Sequence, residues 1–230
     1  MKRILLKISG EALSGDAGSI HADNAQKLAQ EISKLQKTGL DLVLVFGGGN
    51  IYRGSDLIAS GVNPADSHNM SMLSTVFNCV TVKNFLSKIG IASVIMDALH
   101  VEFLEKYSAM KAREYIAEGK IVICSSGIGV PYFTTDTTGV TRALELGCDT
   151  VIKLTKVDGV YDSDPVKNPQ AQKYESLSYN DFLTQDLKVL DQTAIIMARD
   201  NRLPIHVMNI ADIQKIPELM KGEIVGTKIL

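Results

Sequence analysis

Lys7, the run Gly47-Gly48-Gly49, Arg53, Asp136 and Asp191 are the residues of this chain whose types and spacing can do chemistry. Lys7 lies in an apolar run, residues 4–8, that ends at Ser9-Gly10. A second apolar run, residues 42–46, ends in the three glycines and Asn50, and Arg53 follows within one helical turn. Glycines bury no side chain and cost conformational entropy, so three in a row are not there for packing. They make sense where a ligand approaches backbone N–H groups closely. Phosphate is the commonest such ligand, because successive N–H groups form an anion-binding concavity. Arg53 adds a cation suited to phosphate oxygens. A flexible turn is the alternative at the glycines, and a surface lysine lying along apolar neighbours is the alternative at Lys7.

Further along, Gly127-Ile128-Gly129-Val130-Pro131-Tyr132-Phe133-Thr134-Thr135-Asp136 leads into a helical pattern whose first N–H groups suit an anion. Asp136 or Thr135 would cap that helix, and capping does not preclude contact with a ligand. After residues 150–154 comes a turn-rich segment with Asp158-Gly159, a hairpin signal. Tyr161 and Asp164 there are either a base-and-ribose platform or plain loop residues. Asp191 reads first as a helix cap, and Asp66 and His68 as a polar surface loop. No GxGxxG and no GxxxxGK[ST] occurs, so the dinucleotide fingerprint and the P-loop are both absent. The four histidines and three cysteines form no HExxH or CxxC, so no structural zinc site is expected.

The elements that must position these residues alternate. Strands are expected at residues 4–8, 42–46, 92–96, 121–124, 150–154 and 205–208. Helices are expected at residues 24–37 with Asp23 as cap, 71–89, 109–118, a stretch ending at 146, 179–183, 192–201 and 213–220. Residues 226–229 suit an edge strand. Strands rich in Val, Ile and Leu that alternate with helices predict an α/β fold: a mainly parallel sheet between two helical layers. Ligands of such folds sit at the carboxyl ends of the strands. The chain has 230 residues, 45% of them hydrophobic, and suits one domain. A net charge of -2 gives no basic surplus for a nucleic-acid partner. Lys7 ends the first apolar run far short of a signal peptide, and no run approaches the ~20 residues of a membrane span. Reduced thiols and a cytoplasmic location are expected.

In order along the chain, KISGEAL, VFGGGNIYRG, PYFTTD, KLTKVDGVYDSDP, LKVLD and ARDNRLPIHVMN resemble the amino-acid-kinase superfamily, and within it the bacterial uridylate (UMP) kinases. The resemblance runs from Lys2 to about Gly226, and it divides the domain into an acceptor-binding part at about residues 1–150 and an ATP-binding part at about 151–230. It implies a three-layer αβα sandwich, a homohexamer, and transfer of the ATP γ-phosphoryl group to UMP with Mg²⁺ in pyrimidine nucleotide synthesis. It implies Lys7, Arg53, Asp136 and Asp191 as the catalytic set. Lys7, Ile8, Ser9, Gly10, Gly49, Arg53, Thr155, Tyr161 and Asp164 match the ATP side. Gly48, His68, Ile128, Gly129, Val130, Pro131, Tyr132, Phe133, Thr134 and Thr135 match the UMP side. No protein cage for the metal is implied, since nucleotide phosphates hold it. The family loop usually reads GTGNPFFTTD, so Ile128 and Val130 replace a hydroxyl and an amide. His68 stands where the family has a ribose-binding aspartate. A carboxylate or carbamate acceptor, or a non-catalytic nucleotide-binding role, are the competing readings. Residues 15–20 are one residue shorter than the GTP-responsive segment of some relatives, which argues against GTP activation.

Overall fold

The structure is a computed structural model that describes residues 2–15, 19–165 and 167–230. Its strands are β1 (Arg3–Ile8), β2 (Asp41–Phe46), β3 (Ser93–Asp97), β4 (Glu105–Lys106), β5 (Ile121–Ser125), β6 (Thr150–Thr155), β7 (Val160–Tyr161), β8 (Lys173–Tyr174), β9 (Ser176–Leu177), β10 (Ile205–Asn209) and β11 (Thr227–Ile229). Its α-helices are α1 (Ala22–Lys37), α2 (Gly54–Ala59), α3 (Pro64–Lys88), α4 (Ala109–Ala117), α5 (Thr135–Leu146), α6 (Tyr179–Thr184), α7 (Gln192–Asp200) and α8 (Ile216–Leu219). Nine strands form one sheet in the order β4-β3-β5-β2-β1-β6-β10-β11-β9, and β7 pairs with β8 apart from it. All pairings in the large sheet are parallel except β10 with β11.

The two-residue period of a strand divides the core. Ile4, Leu6 and Ile8 of β1 pack on one face with residues of α1 and α3, while Leu5 packs on the other with residues of α5 and α7. Lys7 has the parity of Leu5, so it emerges on the α5 face. Gly139 lets α5 come close there, since a Cβ on it would lie 3.4 Å from Leu5 and 3.6 Å from Lys7. The three layers match the expected architecture.

Local boundaries differ in instructive places. The long helix starts at Pro64, so Asp66 and His68 are helical rather than in a loop. Asn63 causes this: its side chain accepts the Ala65 N–H at 2.9 Å, and Pro64 has its φ preset for the first helical position. His21 occupies the N-cap position of α1, which leaves Asp23 inside the first turn. Asp158-Gly159 precedes β7 instead of joining two strands; β7 pairs with β8, well beyond a two-residue loop. Gly159 is needed there because a Cβ would lie 2.6 Å from Thr227 Oγ1. The C-terminal strand β11 is not an edge, since β9 covers it. Residues 210–215 form a 3-10 turn before α8, which is shorter than expected. The expectation about GTP rests partly on Asp16, Ala17 and Gly18, which lie outside the described residues.

Candidate active site

The carboxyl ends of β1 and β6 put two lysines side by side. Lys7 and Lys153 are register partners on these parallel strands, on the same face. Thr134 starts α5 by accepting the Asp136 N–H at 2.9 Å, so the cap is Thr134, neither Thr135 nor Asp136. The Asp136 side chain is thereby free to reach both lysines: Lys7 Nζ lies 2.9 Å from Oδ1 and Lys153 Nζ 2.7 Å from Oδ2. All three side chains are only 10–11% exposed. Lys153 also donates to the Val189 carbonyl.

Two ammonium groups and one carboxylate leave an excess positive charge in a nearly closed place. Burial pushes the Lys153 ammonium down to about 8, with the Lys7 charge acting the same way and Asp136 opposing them. Burial alone would raise the Asp136 carboxyl, but the two lysines overrule it and hold it below the ordinary value. Asp136 is therefore ionised, and the surplus falls on the lysines. An anion arriving here would restore balance. Lys153 was not legible as a site residue. The available signal was a lysine inside an apolar strand, mirroring Lys7 in β1.

Two cavities meet at this cluster, and a third adjoins the second. The first, about 430 Å³, is lined by Lys7, Ser9, Gly10, Gly48, Gly49, Arg53, His68, Phe133, Thr134 and Thr135, all expected site residues. The second, about 490 Å³, shares Lys7, Thr134 and Thr135 with the first and contains Asp136, Lys153 and Asp191. The third, about 460 Å³, shares Leu187, Lys188 and Val189 with the second and contains Tyr161 and Asp164. The shared walls make a continuous cleft with the lysine pair in its middle.

The glycine run is held from behind. Gly47 donates its N–H to the Ile8 carbonyl at 2.8 Å, so one of the three N–H groups is already used. The carbonyls of Gly47 and Gly48 accept from Asn78 (2.7 Å) and Ser74 (3.2 Å) of α3. Among the described residues, the N–H groups of Gly48 and Gly49 have no hydrogen-bond partner. A Cβ on Gly48 would lie 1.9 Å from Ser74 Oγ, whereas one on Gly49 would meet nothing within 4 Å. Gly49 thus has no packing reason to be glycine. We expect Gly49→Ala to leave thermal stability unchanged while weakening the binding of a phosphate-bearing ligand by roughly 10-fold, as a ligand titration and a melting curve would show.

Arg53 is largely exposed and ion-pairs with Glu11, whose other oxygen lies 3.1 Å from Lys156 Nζ. Asp191 does cap α7, accepting the Ala194 N–H at 2.7 Å. It also accepts the hydroxyls of Thr134 and Thr137, and so fastens the start of α5, and Asp136 with it, to α7. Not every expected residue reaches the cleft. The Ile8 side chain is wholly in the core. Thr155 lines none of the three cavities. Ile128, Gly129, Val130, Pro131 and Tyr132 stand outside the first cavity; only the Tyr132 ring approaches it, 5.0 Å from the ring of His68. The physical reason is the turn at Ser126, Gly127 and Gly129, all with positive φ, which carries the loop outward before Phe133 returns.

Among the described residues no three Asp, Glu, His or Cys side chains are grouped to hold a metal, and no helix is long and apolar enough to cross a membrane. Both Asp191 oxygens accept hydrogen bonds, whereas Asp136 accepts one from Lys153 through Oδ2 and meets Lys7 at Oδ1 as an ion pair only.

The amino acid kinase family matches this chain over residues 2–209. The uridylate kinase of Methylococcus capsulatus is 41% identical over 231 aligned positions, covering 100% of this chain and 97% of that protein. The uridylate kinase of Streptomyces avermitilis is 43% identical, covering 99% and 91%. The crystal structure of UMP kinase from Bacillus anthracis superposes with a TM-score of 0.93 at 35% identity, covering 99% of this chain and 95% of that one. A lysine pair on one aspartate, in mid-cleft beneath a glycine loop, is thus set in a frame shared along almost the whole chain, and the chain belongs to the amino acid kinase family, among its uridylate kinases.

Proposed function

We propose that this chain transfers the γ-phosphoryl group of ATP to UMP, giving UDP and ADP. The observation that carries the reading is the Lys7–Asp136–Lys153 cluster, with its surplus positive charge between two flanking cavities. UMP would occupy the first cavity and the ATP nucleoside the third, so that their phosphates meet at the lysines. An oxygen of the UMP phosphate attacks the γ-phosphorus, and the bond to the β–γ bridging oxygen breaks with its electron pair going to ADP. The acceptor is already largely ionised near neutral pH, so no general base is required. Positioning and charge neutralisation do the work. Lys7 and Lys153 would stabilise charge on the transferring group, and Asp136 would hold both ammonium groups in place. The free N–H groups of Gly48 and Gly49 would bind phosphate oxygens. Arg53 would leave Glu11 for phosphate.

Mg²⁺ would be held by nucleotide oxygens, which suits a site without a cluster of carboxylates; when bound it neutralises charge on the β- and γ-phosphates. Self-association is supported by α3, whose Met70, Leu73 and Phe77 form an exposed apolar stripe opposite its core-facing Met72, Val76 and Cys79; the homohexamer itself is an inference from the family resemblance. UDP formation would serve pyrimidine nucleotide synthesis. The test is ADP release measured with UMP, CMP, AMP, glutamate, aspartate and carbamate as acceptors. Turnover is expected with UMP; turnover with another acceptor and none with UMP contradicts the reading.

The cluster also sets a pH dependence. Lys153 titrates at about 8 before substrates bind, so kcat/KM for ATP is expected to fall as pH rises through that value. Bound phosphates favour the charged ammonium, so kcat should decline only at higher pH. Initial rates across pH at low and saturating ATP check both limbs.

A further inference from the structure

The loop entering α5 is fastened at its stem by a carboxylate that phosphoryl transfer does not use. Asp97 ends β3 and is fully buried. Its Oδ2 accepts the N–H groups of Leu99 (3.0 Å) and Val101 (2.9 Å), which fixes the turn after β3. Its Oδ1 accepts the hydroxyls of Ser125 (2.8 Å) and Ser126, where β5 ends and the loop begins. The four donors are neutral and occupy both carboxylate oxygens.

Ser126 needs such a hold. Its φ is 58°, a left-handed conformation that glycine adopts freely and a residue with a Cβ does not. Its N–H donates to Thr75 Oγ1 of α3 at 2.9 Å, and its carbonyl accepts the Gly129 N–H at 3.1 Å. Gly127 follows with φ 60°, and Arg142 of α5 donates to its carbonyl at 3.3 Å. Gly129 packs on the turn that Asp97 fixes: a Cβ there would lie 2.9 Å from the Ala98 carbonyl oxygen. The turn after β3 and the loop stem are therefore one unit, with Asp97 at its hub. Ile128 and Val130, the two aliphatic replacements, leave from this unit.

We propose that Asp97 is a positioning residue for the acceptor: through Ser126 it sets the left-handed start of the loop, and thereby where Phe133, Thr134 and Thr135 meet UMP. The inference rests on the reading that residues 128–135 form the acceptor loop. A loop already set in its bound shape loses less freedom on binding, so the benefit falls on acceptor affinity.

Asp97→Asn keeps the side-chain size but turns an amide toward serine hydroxyls that had a common acceptor. It is expected to raise the KM for UMP about 10-fold, with kcat within about 2-fold of wild type and the KM for ATP unchanged. Ser126→Ala, which lacks the hydroxyl yet must stay left-handed, is expected to show a similar rise. Ser126→Gly also lacks the hydroxyl but takes that φ freely, so its KM for UMP should rise no more than about 3-fold. This alanine–glycine contrast decides the matter even if Asp97→Asn does not fold. Lower thermal stability with an unchanged KM for UMP, or equal effects of Ser126→Ala and Ser126→Gly, overturns the proposal. Tyr132→Ala and Phe133→Ala test the loop reading separately. If neither moves the KM for UMP, reading and proposal fall together; if they raise it while Asp97→Asn and Ser126→Ala do not, the proposal alone falls.

Discussion

Asp136→Ala is expected to be damaging twice over. It leaves two ammonium groups, each about a tenth exposed, facing each other on adjacent strands with no counter-charge. Removing one partner of a buried ion pair typically costs about 3–5 kcal/mol, and here one carboxylate serves two cations. Stability should fall by up to about that range, since Lys153 can relieve the clash by losing its proton, and the fall is read from denaturant unfolding of the purified protein. Lys153, already pushed down by burial, would lose the group that opposes the shift and would be neutral near physiological pH. The phosphoryl group would then meet less positive charge, and kcat should fall by more than about 100-fold in whatever fraction remains folded. A variant with near wild-type stability and turnover would show that Asp136 does not organise the site.

Lys7→Met separates the two effects. It removes the excess charge and leaves Asp136 paired with Lys153 alone, a neutral couple. The methionine stem packs where the lysine stem packed, so stability should hold or rise slightly. Turnover should not hold. If Lys7 stabilises charge chiefly in the transition state, its loss lowers kcat by at least about 100-fold, or about 2.7 kcal/mol, with a smaller change in KM. Opposite stability outcomes for Asp136→Ala and Lys7→Met, with turnover lost in both, are a signature that a generic core defect would not produce. An unchanged kcat in Lys7→Met would remove Lys7 from the mechanism.

What the residues revealed beforehand follows from how local each signal is. The six longer strands were legible because a buried parallel strand is an apolar run, whereas the two-residue strands β4, β7, β8 and β9 and the short helix α2 carry too few residues to show a period. Gly47, Gly48, Gly49 and Lys7 were legible because glycines and a lysine are out of place where a buried strand ends. Lys153 was not, because its meaning lies in register: only the pairing of β1 with β6 sets it beside Lys7. Asn78 and Ser74 were hidden for the same reason, since they hold the glycine loop from a helix many residues away. The start of α3 could have been read from Asn63-Pro64, a capping side chain followed by a residue suited to the first helical turn. The outward path of residues 128–132 could not, because serine at 126 gives no hint of a left-handed backbone. The carboxylate that holds the Ser126 hydroxyl, Asp97, is distant in sequence.

The central claim is that the paired lysines on Asp136 form the charge that receives the transferring phosphoryl group. The most direct measurement is kcat/KM for ATP with UMP as acceptor, from about pH 6 to about pH 10, for wild type and Lys153→Met. Wild type should lose activity as pH rises through about 8, where Lys153 gives up its proton. Lys153→Met should be lower by at least about 30-fold on the acid side and lack that alkaline limb, because the titrating group is gone. A Lys153→Met variant with the wild-type rate and the wild-type alkaline limb would contradict the account.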